Sequence, residues 1–257
     1  MRNLQNRPAQ IVPAEDVECV TLEVTTQTCR SAHAHLCPEA YIRIFFNGKL
    51  ISAQPIYPRD LEAFAIGLLL SEGLIGTTAE IESLTIKGDA IHVTATAARS
   101  HEQPNASPDP VDLDVIYRGY LALEDCARVC QATGGTHCAL LLTEYGGLVS
   151  YAEDVNRLAS LDKAIGKAVQ AGYELDRCIL FSTGRTTEDV IRHADSSGIS
   201  LVAACGAPSS RAVRYALDHD ICLLAIPGPH QVIIYSGKQR IREKEWRNPA
   251  EQDTSPV

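Results

Sequence analysis

The residues best suited to chemistry are those that could receive a phosphate or another anion. Ser182-Thr183-Gly184-Arg185-Thr186-Thr187 follows a short apolar run, Cys178 to Phe181, and leads into a helical pattern from Thr187 to Asp195. At such a junction the first N–H groups of the helix have no partner within it and point beyond the strand end. Gly184 permits close backbone approach, Arg185 can fork onto two phosphate oxygens, and the threonines can cap the helix. Ala207-Pro208-Ser209-Ser210 repeats the arrangement after the next apolar run, Ser200 to Ala203. One such loop alone is more often an ordinary capped helix start; two in succession, one with an arginine, bring the anion reading level with it. In a third loop, Thr133-Gly134-Gly135-Thr136-His137, a glycine helix stop accounts for Gly134 but not for the threonines and His137. Glu153-Asp154-Val155-Asn156-Arg157 reads as an acidic helix start, and Asp162-Lys163 as a surface ion pair.

The thiols offer a second chemistry. Cys126 and Cys130 stand four apart on a helix expected from Asp114 to Cys130, so they share a face and could hold a metal or relay sulfur, although apolar packing is the commoner fate of such cysteines. His137 and Cys138 are neighbours on an extended segment, where adjacent side chains point oppositely, which argues against a direct catalytic pair. Cys19, Cys178, Cys205 and Cys222 fall on or beside strands and read as core. Nine cysteines without a repeating spacing fit reduced thiols rather than a disulfide framework. No zinc-deaminase signature, Walker A loop, Gly-x-Gly-x-x-Gly or Gly-x-Ser-x-Gly occurs, and no metal site is expected.

The elements that must position these residues fall into two halves. Val17 to Thr25 alternates as a strand, and Tyr41 to Phe46 and Lys49 to Ser52 flank Asn47-Gly48 as a hairpin. Pro58 and Asp60 open a helix with Leu61, Phe64, Ala65, Leu68 and Leu69 at helical spacing, ended by Gly73, and a second hairpin turns at Gly88-Asp89. Arg99 to Asp112 lacks apolar period and reads as an exposed connector. Beyond it helices and strands alternate: strands at Ala139 to Thr143, Leu148 to Tyr151, Cys178 to Phe181, Ser200 to Ala203, Ile221 to Ala225 and Val232 to Tyr235, with helices at about Val155 to Val169, Thr187 to Asp195 and Ser209 to Leu217. That order predicts a three-layer α/β/α sandwich with a partly parallel sheet. The expected division is a mobile tail 1–15, a smaller α+β unit 16–98, a connector 99–112, an α/β/α core 113–237 and a C-terminal tail 238–257.

With 257 residues, 45% of them hydrophobic, the chain can bury a core without covalent staples. A net charge of −9 argues against a broad basic face for nucleic acid or anionic membrane, so any polyanion must meet local donors. The opening residues lack a secretory apolar core and no stretch is long and apolar enough to span a bilayer; a soluble cytoplasmic protein is expected.

Taken in order, Asn47-Gly48, Pro58-x-Asp60-Leu61-Glu62, Gly67-x-Leu69-Leu70-x-Glu72-Gly73-Leu74-Ile75, Thr133 to His137, Glu153-Asp154-Val155-x-Arg157, Leu161-Asp162-Lys163-x-Ile165-Gly166, Thr183-Gly184-Arg185 and Ala207 to Ser210 resemble the FdhD family of formate dehydrogenase accessory proteins. The resemblance covers most of residues 40 to 237. It implies a cytidine-deaminase-like α/β/α core without deaminase zinc, and a role in accepting sulfur from a cysteine desulfurase and passing it to the molybdenum or tungsten bis-molybdopterin guanine dinucleotide cofactor before insertion into formate dehydrogenase. Guanosine diphosphate is the corresponding half-analogue. It also implies a C-terminal cofactor loop at Ile226-Pro227-Gly228-Pro229-His230-Gln231, so that the expected cofactor contacts are this loop with Thr133 to His137, Arg157, Thr183, Gly184, Arg185, Pro208, Ser209 and Ser210. The apoenzyme, a desulfurase and a second copy in a homodimer are the expected partners. Where the family carries Cys-x-x-Cys, this chain has His101-Glu102-Gln103-Pro104-Asn105-Ala106-Ser107-Pro108, without a thiol; Asn156-Arg157-Leu158 and the prolines of the C-terminal loop depart from it too. Cofactor holding survives these departures more easily than sulfur transfer, for which Cys138, then Cys126 and Cys130, would have to be recruited. The alternative is an assembly chaperone that binds no nucleotide.

Overall fold

The computed structural model describes residues 14–96, 109–229 and 231–242; His230, the segment 97–108 and both ends, and with them most of the expected connector, lie outside the described residues. The chain begins with β1 (Glu15–Glu23) and β2 (Thr28–Leu36), an antiparallel hairpin forming a sheet of its own. β3 (Ala40–Phe46) turns through Asn47 and Gly48, both at positive φ, into β4 (Lys49–Ile56), as the primed-turn signal requires. β5 (Ile81–Lys87) and β6 (Ala90–Ala95) form the second hairpin, and parallel pairing of β3 with β6 joins the two into a sheet of order β4-β3-β6-β5.

Between these hairpins runs α1 (Leu61–Ser71), buried at every position from Ala63 to Ser71. A helix apolar all round belongs in an interior, and α1 lies against α4 (Arg157–Gln170). Two glycines allow the crossing. A Cβ on Gly67 would stand 1.8 Å from the Asp162 carbonyl oxygen, and one on Gly166 1.9 Å from that of Ala63.

The second half contains β7 (Val111–Asp112), α2 (Leu113–Cys126), α3 (Arg128–Thr133), β8 (His137–Thr143), β9 (Leu148–Asp154), β10 (Cys178–Ser182), α5 (Glu188–Ser196), β11 (Leu201–Ala204), α6 (Ser210–Asp218), β12 (Cys222–Gly228), β13 (Gln231–Ser236) and β14 (Ile241–Arg242), with α4 between β9 and β10. Six strands make one sheet of order β13-β12-β11-β10-β8-β9, in which β10, β11 and β12 are parallel and the outer pairs antiparallel. Its strands are apolar on both faces. Leu141, Leu180, Val202 and Leu223 join α4, α5 and α6 in one core, whereas Leu140, Phe181, Ala203 and Leu224 join Ile116 and Leu123 of α2 in another. Among the described residues the fold is thus mixed α/β, with six α-helices and several sheets, and no helix is long and apolar enough to cross a membrane.

Three expectations need correction. The helix read from Asp114 to Cys130 breaks at Ala127, whose ψ of 53° leaves the helical region, and α3 restarts because the Glu153 carboxylate accepts the N–H groups of Val129 and Cys130, each at 2.8 Å. Cys126 and Cys130 therefore do not share the face of one continuous helix. Asp162 and Lys163 are not a surface pair. Lys163 is fully buried, its Nζ 2.6 Å from Asp154 Oδ2 and donating to the Tyr57 carbonyl, while Asp162 Oδ1 accepts from Ser71 and meets His193. Finally, Asp112 and the residues just after 238 are packed rather than trailing: β7 pairs in parallel with β14, and Ile241 is buried beside α2.

Candidate functional site

The parallel strands β10, β11 and β12 end at Ser182, Ala204 and Gly228 on one edge of the sheet. Because β8 runs antiparallel to β10, it starts on that edge at His137; β9 ends there at Asp154, opposite His137, and delivers the start of α4. The loops 133–137, 154–157, 182–187, 205–210 and 226–229 therefore line one carboxyl edge, where ligands of open α/β sheets bind. Residues 226–229 lie two strands from β10, about 10 Å along the edge.

At the β8/β10 end, Arg157 opens α4 and lays its stem over Gly184, where a Cβ would come within 2.3 Å of Arg157 Cδ and 3.5 Å of His137 Nδ1. Only glycine leaves the arginine this path. Arg157 Nε is buried without a hydrogen-bond partner. Burial, and next the positive charge of Arg185, hold its pKa below the ordinary arginine value, with Asp189 opposing. Neither Arg157 nor the exposed Arg185 makes an ion pair among the described residues. Two guanidinium groups near each other, with Asp189 as the carboxylate acting on Arg157 without an ion pair, can receive an anion. His137, half-buried, is held below the usual histidine pKa by burial and then by Arg157, so its ring is neutral at pH 7.

The surrounding loops are fixed by their own hydrogen bonds. Thr183 Oγ1 accepts the Cys138 N–H at 3.0 Å and the Thr183 N–H donates to the Cys138 carbonyl, which ties the end of β10 to the start of β8. The Cys205 N–H donates to the Ser182 carbonyl, the Ser209 N–H to the Thr186 carbonyl, and Thr186 bridges Pro208. Ser209 Oγ caps α6 by accepting from Ala212, and Ser210 is exposed in the first turn. Thr186 Oγ1, by contrast, is buried with no partner. In the third loop, Gly134 ends α3 at positive φ, Thr133 Oγ1 donates to the Val129 carbonyl, and Thr136 Oγ1 donates to Glu153. Both threonine hydroxyls are engaged within the protein; His137 is the member of this loop that reaches Arg157. Ile226 is buried, Pro227, Pro229 and Gln231 are exposed, and Gly228 is half-buried and pairs with Gln231.

Sequence reasoning missed two contributors. Glu153 organises the Thr133–His137 loop by holding both α3 donors and Thr136. Cys37 sits beside that loop, its Cβ 3.2 Å from where a Cβ on Gly135 would be. No local signal links Cys37 to a loop so far along the chain. Its thiol is pushed up to about 11 by burial and then by Asp154 and Glu153. Cys138 is fully buried and its pKa is raised by that burial; Cys126 and Cys130 are half-buried. Among the described residues no group of histidine, cysteine and carboxylate side chains is arranged to hold a metal.

Known proteins are similar to this chain. A formate dehydrogenase accessory protein of Desulfotalea psychrophila, as its crystal structure is described, superposes with a TM-score of 0.79 at 22% identity over 89% of this chain and 99% of its own, a likeness of fold. The Sulfur carrier protein FdhD of Streptomyces avermitilis is 30% identical over 249 residues, covering 80% of this chain and 88% of that protein. Protein FdhD of Methanocaldococcus jannaschii is 25% identical over 203 residues, 79% of this chain and 88% of its own. The family model for FdhD/NarQ matches residues 37–109 and 97–242, a span that takes in α1, the glycine crossing and all five edge loops, and the chain belongs to the FdhD/NarQ family.

Proposed function

We propose that this chain holds the guanine-dinucleotide form of a molybdenum or tungsten pterin cofactor for delivery to formate dehydrogenase. The observation that carries the reading is the Arg157–Arg185 pair at the carboxyl edge, two guanidinium groups that make no ion pair among the described residues, with one buried Nε without a partner. A pyrophosphate supplies the missing charge and acceptor oxygens. Gly184 keeps the approach open, and neutral His137 can donate or accept at the rim. Loops 205–210 and 226–229 extend the same edge for the remainder of a long ligand, in keeping with a cytidine-deaminase-like layering. When bound, the cofactor supplies the metal and dithiolene sulfur chemistry; this chain's residues bind and orient it.

Sulfur carriage on a thiol of this chain is the weaker reading. Related proteins are named sulfur carriers, but a carrier needs an accessible thiolate, and Cys37 and Cys138 are pushed toward the protonated thiol while residues 99–112 contain no cysteine. Calorimetric titration with guanosine diphosphate, and with guanosine as the phosphate-free control, tests the cofactor reading. Binding of the diphosphate at least about tenfold tighter than guanosine is expected from one lost charge-assisted contact; equal affinities, or no binding of either, would sink it and leave the assembly chaperone.

A further inference from the structure

A cavity of about 530 Å³ lies away from the arginine pair, between β4, α1, α4 and α5, within the range of roughly 300–1,000 Å³ usual for ligand sites. Lys49, Leu50, Ile51 and Ser52 of β4 line it consecutively. A bulge at Ile51, opposite the Ile44–Phe45 step of β3, interrupts the alternation of side chains along this stretch. β4 is an edge strand, paired with β3 and with no other strand among the described residues. Its outer N–H and C=O groups form an open template for another extended chain.

The opposite wall of this groove is apolar at Leu68, Leu74 and Leu158 and acidic at its inner end. There Asp162 Oδ1 accepts from Ser71 Oγ at 2.8 Å and lies 3.0 Å from His193 Nδ1, and His193 Nε2 stands 3.6 Å from Glu72 Oε1. Asp162 is 1% exposed, and its second oxygen, Oδ2, is buried without any partner. With His193 protonated, the two carboxylates have His193 beside them and Lys49 on the β4 wall, so the unsatisfied group is the buried Asp162 oxygen itself. A buried unpaired carboxylate oxygen beside an apolar groove asks for a donor delivered on an aliphatic stem, and a charged donor meets it best.

We infer that this groove docks an extended polypeptide of a partner protein, which pairs with the free edge of β4 and inserts a lysine or arginine side chain toward Glu72 and Asp162. The occupant is a peptide rather than a free amine because the strand edge, as well as the acidic end, is unsatisfied. The inference does not depend on the cofactor reading.

The test uses the whole protein and a dye-labelled, acetylated and amidated heptapeptide of alternating threonine and valine with a central lysine, read by fluorescence anisotropy. Replacing the lysine by norleucine should weaken binding by about tenfold or more, and N-methylation of alternate backbone amides should abolish it. Glu72→Gln should weaken the lysine peptide and leave the norleucine peptide unchanged, and Asp162→Asn should act likewise if it folds. Equal binding of lysine and norleucine peptides would overturn the acidic end. Binding of the N-methylated peptide as tight as the parent, or full competition by n-butylamine at equal concentration, would overturn strand pairing. Guanosine diphosphate affinity measured on the same Glu72→Gln protein should not change, which separates failure here from failure of the cofactor site.

Discussion

Replacing Arg157 by methionine should weaken anion binding without weakening the protein. Methionine keeps an aliphatic stem over Gly184 and removes the guanidinium, whose Nε is buried and unpartnered and whose charge opposes that of Arg185. A buried polar atom left unpaired costs about 1–3 kcal/mol, so the unliganded variant should be as stable as the parent or more stable by about 1 kcal/mol. With ligand present the balance reverses. Each charge-assisted hydrogen bond lost is worth about 1.5–3 kcal/mol, which lowers guanosine diphosphate affinity by roughly tenfold for one contact and by more than a hundredfold for a bidentate fork. Urea denaturation of the unliganded proteins reads the first quantity and calorimetry the second. Loss of about 2 kcal/mol or more of unliganded stability with unchanged affinity would show that Arg157 serves the fold, and the argument from its missing partner would fail.

Four other outcomes follow from the same geometry. Gly184→Ala should displace the Arg157 side chain, since the new Cβ falls 2.3 Å from Cδ, and should lower guanosine diphosphate affinity by calorimetry while thermal stability changes little. Gly166→Ala should do the reverse: its Cβ meets the Ala63 backbone oxygen at 1.9 Å, neither helix can yield a flexible side chain, and denaturant titration should show a loss of about 3 kcal/mol, at the upper end of overpacking costs. Lys163→Met should destabilise by about 3–5 kcal/mol in the same assay, because it leaves the Asp154 carboxylate buried without its cation. Burial alone would lower the His193 pKa, but its hydrogen bond to Asp162 and the charges of Asp162 and Glu72 raise it overall, so its stabilisation is full below the unfolded histidine value near 6.5 and fades as pH rises through the folded one; denaturation midpoints from pH 6 to 8.5 should fall less in His193→Gln than in the parent.

What the sequence reveals is what local period and turn chemistry encode. The loops after Phe181 and Ala203 can be read because an apolar run, a glycine or proline and a capping hydroxyl recur within a few residues, and the structure sets both on one edge. Strand β2 escapes because Thr28 to Leu36 alternates alanine with histidine and lacks the bulky apolar face that marks a strand. Lys163 escapes for another reason. A lysine on an amphipathic helix looks solvated until Asp154 and the Tyr57 carbonyl, contributed by other elements, converge on it, and no local window contains that meeting. Gly67 and Gly166 similarly look like ordinary helix interruptions until their two helices cross.

The proposed anion site depends on pairing that only the fold determines. Acidic residues outnumber basic ones, 32 to 23, and five arginines of the described residues find a carboxylate while the others, Arg157 and Arg185 among them, do not. Arg43 meets Asp89, Arg118 meets Asp114, Arg177 meets Glu144, Arg211 meets Glu188 and Arg242 meets Asp112. Arg157 and Arg185 are set beside each other instead, although Glu153 and Asp154 lie a few residues away. The reason is that both acids are committed elsewhere: Glu153 holds the donors of α3 and Thr136, and Asp154 is fully buried with Lys163. The acidic helix start read from the sequence thus works indirectly, since its carboxylates face the other loops and leave the guanidinium groups to whatever anion enters the edge. Positive potential here comes from withheld partners rather than from a basic surface, which is how a chain of net charge −9 can offer a local site to a polyphosphate.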